Sequence, residues 1–123
     1  MRVLGIDFVV CGFGEEKMSD AVRFYRETLG IEDPIITGDG HSEVWTEFDT
    51  KPVALALGKW GHPGQTAIAL AVEDVFQAAE ELRAKGVKIL YGPEEFEPCT
   101  MCVIEDPWGH LFVIHRRKDG TWG

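Results

Sequence analysis

Thr66-Ala67-Ile68-Ala69-Leu70-Ala71-Val72, with Glu73-Asp74-Val75 next to it, is the stretch on which the fold turns. Thr66–Val72 is a short apolar run and reads as a strand. Asp74 is a good N-cap for a helix beginning at Val75, with Gln77 three residues on as a weak capping box. Val75, Ala78, Ala79 and Leu82 give that helix its apolar stripe, and Gly86 ends it. Val87–Tyr91, Thr100–Ile104 and His110–Arg116 read as strands. Between them lie an acidic loop, Gly92–Pro98 with Glu94, Glu95 and Glu97, and the tight turn Asp106-Pro107-Trp108-Gly109. The order is β-α-β-β-β.

Upstream, the same order appears once more. Val3–Cys11 is rich in Val, Ile, Leu and Phe and too short for a helix, so it is a strand. From Ser19 the period changes: Ala21, Val22, Phe24, Tyr25 and Leu29 cluster on one side of a helix that Ser19 or Asp20 can cap and Gly30 can close. Asp33–Thr37, a Gly38-Asp39-Gly40 turn, Glu43–Asp49, a turn at Pro52 and Val53–Gly58 complete the half. Trp60–Gly64 connects it to the next. Neither half could bury both faces of a four-stranded sheet alone, so the halves, 2–59 and 65–117, are expected to pair in one domain spanning 1–123. The expected class is α+β: a curved mixed sheet around a hollow, with helices outside and one set of alternating side chains lining the pocket.

Composition fits one soluble globular domain: 123 residues, 45% hydrophobic and 27% charged. Lys and Arg number 12 against 21 Asp and Glu, a net charge of −9. Such a surface repels phosphate, which argues against nucleic acid and against anionic membranes, and it tolerates a cationic small molecule. No apolar run approaches the roughly 20 residues of a membrane span, and the first residues lack the pattern of a signal peptide. Cys11, Cys99 and Cys102 are odd in number and without framework spacing, as expected of a cytoplasmic protein. Cys99 and Cys102 form a C-x-x-C, but within a strand they would face opposite ways, which argues against zinc or redox use.

Three motifs carry a family resemblance. Phe24-Tyr25-Arg26-Glu27-Thr28-Leu29-Gly30 resembles the FYxxxLG signature of the vicinal oxygen chelate superfamily, which holds glyoxalases, bleomycin-resistance proteins and extradiol dioxygenases. Ala67–Val75 resembles the opening of its second module. Asp106-Pro107-Trp108-Gly109-His110 resembles its DPxGN turn, with His110 in place of Asn. The resemblance implies two βαβββ modules and, in many members, a divalent metal held by His and Glu from four strands. Carried over, those positions fall on Asp7, Ala67, Val113 and the strand around Leu55. Three are apolar, and one carboxylate cannot hold an ion against water. No metal and no other cofactor is therefore expected.

The remaining polar and aromatic residues define the candidate site. Asp7 is either an exposed or salt-bridged strand carboxylate or a group in the hollow that binds a cation or acts as a base. Trp45 and Glu47 share a strand face. His115 shares a face with Val113, at the rim if Val113 lines the hollow, and Arg116, Arg117 and Lys118 read as a solvated end. Leu55, Trp60, Ala67, Met101 and Val113 are expected as apolar wall. The reading is a metal-free homodimer binding a small organic ligand, cationic or aromatic, in a groove rimmed by Asp7, Glu47, Glu94, Glu95 and Glu97. The alternative is a lyase, isomerase or dioxygenase-like enzyme using a shifted metal or acid–base site on Asp7, Glu47 and His115. A third is an interaction module whose groove accepts a partner's segment.

Overall fold

The computed structural model describes residues 1–33, 35–36, 43–60 and 62–123. Its elements run β1 (Gly5–Gly12), α1 (Met18–Arg23, continued by a wider turn over Phe24–Thr28), β2 (Ile35–Ile36), β3 (Trp45–Phe48), β4 (Ala54–Gly58), β5 (Thr66–Ala71), α2 (Val75–Ala84), β6 (Lys88–Glu95), β7 (Cys99–Glu105) and β8 (Leu111–Arg117). The chain is α+β, and the β-α-β-β-β order occurs twice. The expected Gly38–Gly40 turn lies outside the described residues, as do Pro34 and Thr37 of the strand before it. The chain forms two compact units, one of Met1–Phe8 with Ala67–Gly123 and one of Val9–Thr66.

In the first unit the strands lie in the order β1-β5-β8-β7-β6, with β5 and β8 parallel and β8/β7 and β7/β6 antiparallel. Alternation sends Cys102, Ile104, Phe112, Ile114 and Leu70 to one face, where Val75, Ala78, Ala79 and Leu82 of α2 cover them. Each large side chain so buried contributes about 1.5–3 kcal/mol. The Asp74 carboxylate accepts the Gln77 N–H at 3.0 Å, the expected cap. One expectation fails here: the segment from Gly92 is not a loop, because β6 continues through Glu95. The ladder shifts between Ile89 and Tyr91 and again before Glu94. β6 is also the outermost strand, and a proline at such an edge or bulge costs no ladder bond. Glu94 and Glu95 thus belong to a strand, and Glu95 pairs with Lys118 at 3.2 Å.

In the second unit the order is β2-β3-β4-β1. Met18 and Ala21 of α1 pack on Phe48 and Leu57, joined by Leu55, Cys11 and Phe13. Neither Ser19 nor Asp20 caps this helix. It begins at Met18, two residues before a Ser19 cap would start it, with Lys17 in the cap position and no side-chain cap bond. Burial of Met18, 5% exposed, sets the start in place of a polar acceptor. At the other end the Leu29 N–H reaches back five residues to the Phe24 carbonyl at 3.1 Å. Gly30, at φ +78°, closes the turn as expected.

Candidate functional site

The sheet face of the first unit that points away from α2 is built from small and apolar side chains. Register places Ala69 beside Val113 and Val113 beside Val103; it places Ala71 beside His115 and His115 beside Met101. Ala67 lies on the same face two residues before Ala69. Ala67, Ala69, Ala71, Val103 and Val113 are all buried. Of the residues singled out in the sequence, Ala67, Met101, Val113 and His115 therefore share one face, and Asp7 joins them.

Asp7 has no exposed surface. Its Oδ2 lies 2.6 Å from His115 Nδ1. Its Oδ1 lies 2.9 Å from an Arg117 guanidinium nitrogen and accepts the Gly123 N–H at 3.1 Å. His115 and Arg117 are two residues apart on β8, so alternation aims both at the same carboxylate. β1 and β8 are not neighbours, because β5 runs between them. Two strand spacings are about 10 Å, a gap that Asp and His can close only because β5 offers methyl groups there. The edge of the Phe8 ring also meets His115, with centroids 5.0 Å apart at 85°. Adjacent residues on a regular strand cannot both do this. The alternation of β1 is interrupted at this point, where the consecutive residues Asp7 and Phe8 are both buried.

Burial pushes the Asp7 carboxyl up, but the His115 hydrogen bond and charge, the Gly123 N–H and Arg117 outweigh it and hold Asp7 below its usual 3.8. Asp7 is thus an ionised acceptor, and the proton of the 2.6 Å bond sits on His115 Nδ1. The other ring nitrogen, Nε2, makes no hydrogen bond among the described residues. An imidazole gripped at Nδ1 by a carboxylate has a fixed orientation and one tautomer, with Nε2 presented for use.

Three expectations change. Asp7 is neither half-solvated nor on a groove rim. His115, 6% exposed, lies inside the structure. Arg117 is not part of a solvated end but the counter-ion of Asp7, so Asp7 has no net charge to spare for a cationic ligand. Arg117 also bears on how the residues around Asp7 would suit a metal. Among the described residues no three His, Cys, Asp or Glu side chains gather to hold an ion. The third group at Asp7 is a guanidinium, which cannot coordinate and whose charge opposes a cation. The described residues around Asp7 do not fit the divalent metal that the family resemblance implies.

The remaining candidates lie in the second unit. The Trp45 indole N–H donates to Glu47 Oε1 at 3.3 Å, and its ring lies so close to Gly58 that a Cβ there would stand 2.6 Å away. Leu55 pairs with Phe48 and packs toward α1, on the face opposite Glu47, where Ala56 is the cross-strand neighbour. Trp60 Nε1 is buried without a partner among the described residues, its ring against His62 at 4.9 Å. The Asp106 turn explains its histidine: the carboxylate accepts the Trp108 and His110 N–H groups at 2.9 and 2.8 Å and lies 2.8 Å from His110 Nδ1. His110 thus serves the turn.

The profile described as Glyoxalase/Bleomycin resistance protein/Dioxygenase superfamily matches residues 8–114. The chain belongs to that superfamily. Asp7, His115 and Arg117 flank the matched stretch. No curated protein matches the sequence. Among solved structures, methylmalonyl-CoA epimerase from Mycobacterium tuberculosis is similar at 17% identity and TM-score 0.62, covering 92% of this chain and 87% of that one. The 2,3-dioxygenase LapB from Pseudomonas sp. KL28 shares 14% identity at TM-score 0.62, over 98% of this chain but 46% of the dioxygenase. A glyoxalase/bleomycin resistance protein/dioxygenase superfamily member from Vibrio splendidus 12B01 shares 13% identity at TM-score 0.57, over 88% and 95%. At these identities the likeness establishes the fold.

Proposed function

We propose that this superfamily member binds a small organic molecule without a metal, with His115 Nε2 as its polar contact and the alanine and valine side chains around it as apolar wall. The observation that carries the reading is the buried 2.6 Å Asp7–His115 bond, which fixes the imidazole and leaves Nε2 without a partner among the described residues. An imidazole so held suits a hydroxyl, carboxyl or other weakly acidic group, not the organic cation that net charge alone suggests. The guanidinium on Asp7 argues against the metal-dependent chemistry of the family. Titration calorimetry against aromatic weak acids, in chelator-treated buffer, tests the proposal. Wild type should bind at least one member, His115→Ala should lose about tenfold or more in affinity, and added divalent ions should change nothing. No binding by wild type, or equal binding by the variant, sinks the reading.

A second reading uses the same geometry. The Asp–His arrangement also suits proton transfer, since Nε2 can take a proton from an acidic carbon and return it while Asp7 stabilises the imidazolium. Deuterium uptake from D2O into a bound carbon acid, present in wild type and absent in His115→Gln, would favour this enzyme over a binding protein.

A further inference from the structure

After β8 the chain turns back on itself. The Gly120 N–H bonds to Arg117 O at 3.0 Å, with Gly120 at φ +80°, and Asp119 Oδ1 accepts both the N–H and the hydroxyl of Thr121, at 2.8 and 2.6 Å. These bonds lie within the segment, so its shape does not depend on what it touches. It meets β1 through the Gly123 N–H on Asp7 Oδ1 and through the Trp122 indole. The indole lies on Gly5, where a Cβ would overlap the ring. Gly5 is thus a bed that only glycine leaves flat. Trp122 remains 47% exposed, and Arg117 bridges the parts, one guanidinium nitrogen on Asp7 and another 3.4 Å from the Thr121 hydroxyl.

We propose that Asp119–Gly123 is a displaceable latch on the Asp7–His115 pair, closed by Trp122 on Gly5 and by Gly123 on Asp7. Released, it uncovers a subsite that asks of a newcomer what the latch supplied: a flat apolar ring for the Gly5 bed and an N–H or O–H donor for Asp7 Oδ1. The latch rests on the reading of His115 given above only for its functional meaning; its mechanics stand on the contacts named here. A preformed turn held by one half-exposed ring, the Gly123 N–H on Asp7 and a long Arg117–Thr121 hydrogen bond is the sort of element that opens locally without unfolding the sheet.

Diethyl pyrocarbonate labelling, resolved by peptide mass spectrometry, reads the latch without any ligand. The side chain of His110 is 71% exposed and serves as internal reference. His115 should react far more slowly than His110 in wild type. It should react about tenfold faster in Trp122→Ala, where roughly 1.4 kcal/mol of closure is lost, and comparably faster in Gly5→Ala, which ejects the ring while leaving the segment unchanged. Thermal melts within a few degrees of wild type exclude general loosening. Indole-3-acetamide should slow labelling in Trp122→Ala. Equal His115 rates in all three proteins, or a wild-type rate matching His110, overturn the latch. A latch that passes this test beside a ligand panel that finds nothing would sink the binding reading alone.

Discussion

Helices α1 and α2 hold the same place in their repeats but are closed by different means. Asp74 gives α2 an acceptor for the free Gln77 N–H, and four side chains of the helix are buried. Lys17 gives α1 none, two side chains are buried, and the helix widens into a five-residue turn before Gly30. The polar content differs in the same sense. The unit with α2 buries an ionised Asp7 between His115 and Arg117; the other unit's β3 has the indole of Trp45 on Glu47. A repeat can keep its order of elements while one copy relies on local rules and carries the charged site, and the other depends on tertiary packing.

The comparison breaks most sharply in the cores. Phe48→Ala should destabilise the second unit by about 4 kcal/mol, measured by urea unfolding, because its small core has little else to hold α1. Removing the counter-ion in the first unit should come next. Arg117→Ala leaves Asp7 buried with one partner fewer and should cost about 3 kcal/mol, whereas Glu47→Gln should cost under about 1 kcal/mol. Equal losses would mean that the two polar pairs are equivalent after all.

Acid should separate the halves further. Because Asp7 is held below 3.8 in the folded state, the unfolded chain takes up its proton first as pH falls. The stabilisation is therefore complete above pH 3.8 and disappears as pH drops through the lower folded value. Asp7→Asn should flatten the stability–pH curve in that acid window, as followed by circular dichroism. The smallest effects concern caps. Asp74→Ala should cost about 1 kcal/mol, and Lys17→Asp should add up to about 1 kcal/mol by giving α1 the acceptor it lacks. If Lys17→Asp is neutral, burial of Met18 alone fixes where α1 begins.

The order of elements, the Asp74 cap and the closing role of Gly30 are all legible in the chain, because each follows from local chemistry. The start of α1 is not, since it rests on a methionine whose burial is a tertiary fact. Gly92-Pro93 reads as a loop because the pair usually breaks a strand, and only an edge position with a shifted register excuses it. Asp7 and His115 both stand out in the sequence, and an acid–base pair of the two is among the alternatives it leaves open. Arg117 is hidden there by the run of basic residues around it, which reads as solvent-facing. Its spacing from His115, two residues along a strand, is the available clue. The Gly123 contact, 116 residues from Asp7, leaves no trace in the sequence.

The alanines of β5 have a consequence for anyone mapping this protein by mutation. Ala69 and Ala71 have no polar side-chain atom and touch no proton, yet their smallness sets whether an acid and an imidazole from strands on either side can meet. Enlarging either to leucine would drive a wedge between them. Such positions would score as intolerant in a saturation screen, and a search for reactive groups would pass over them.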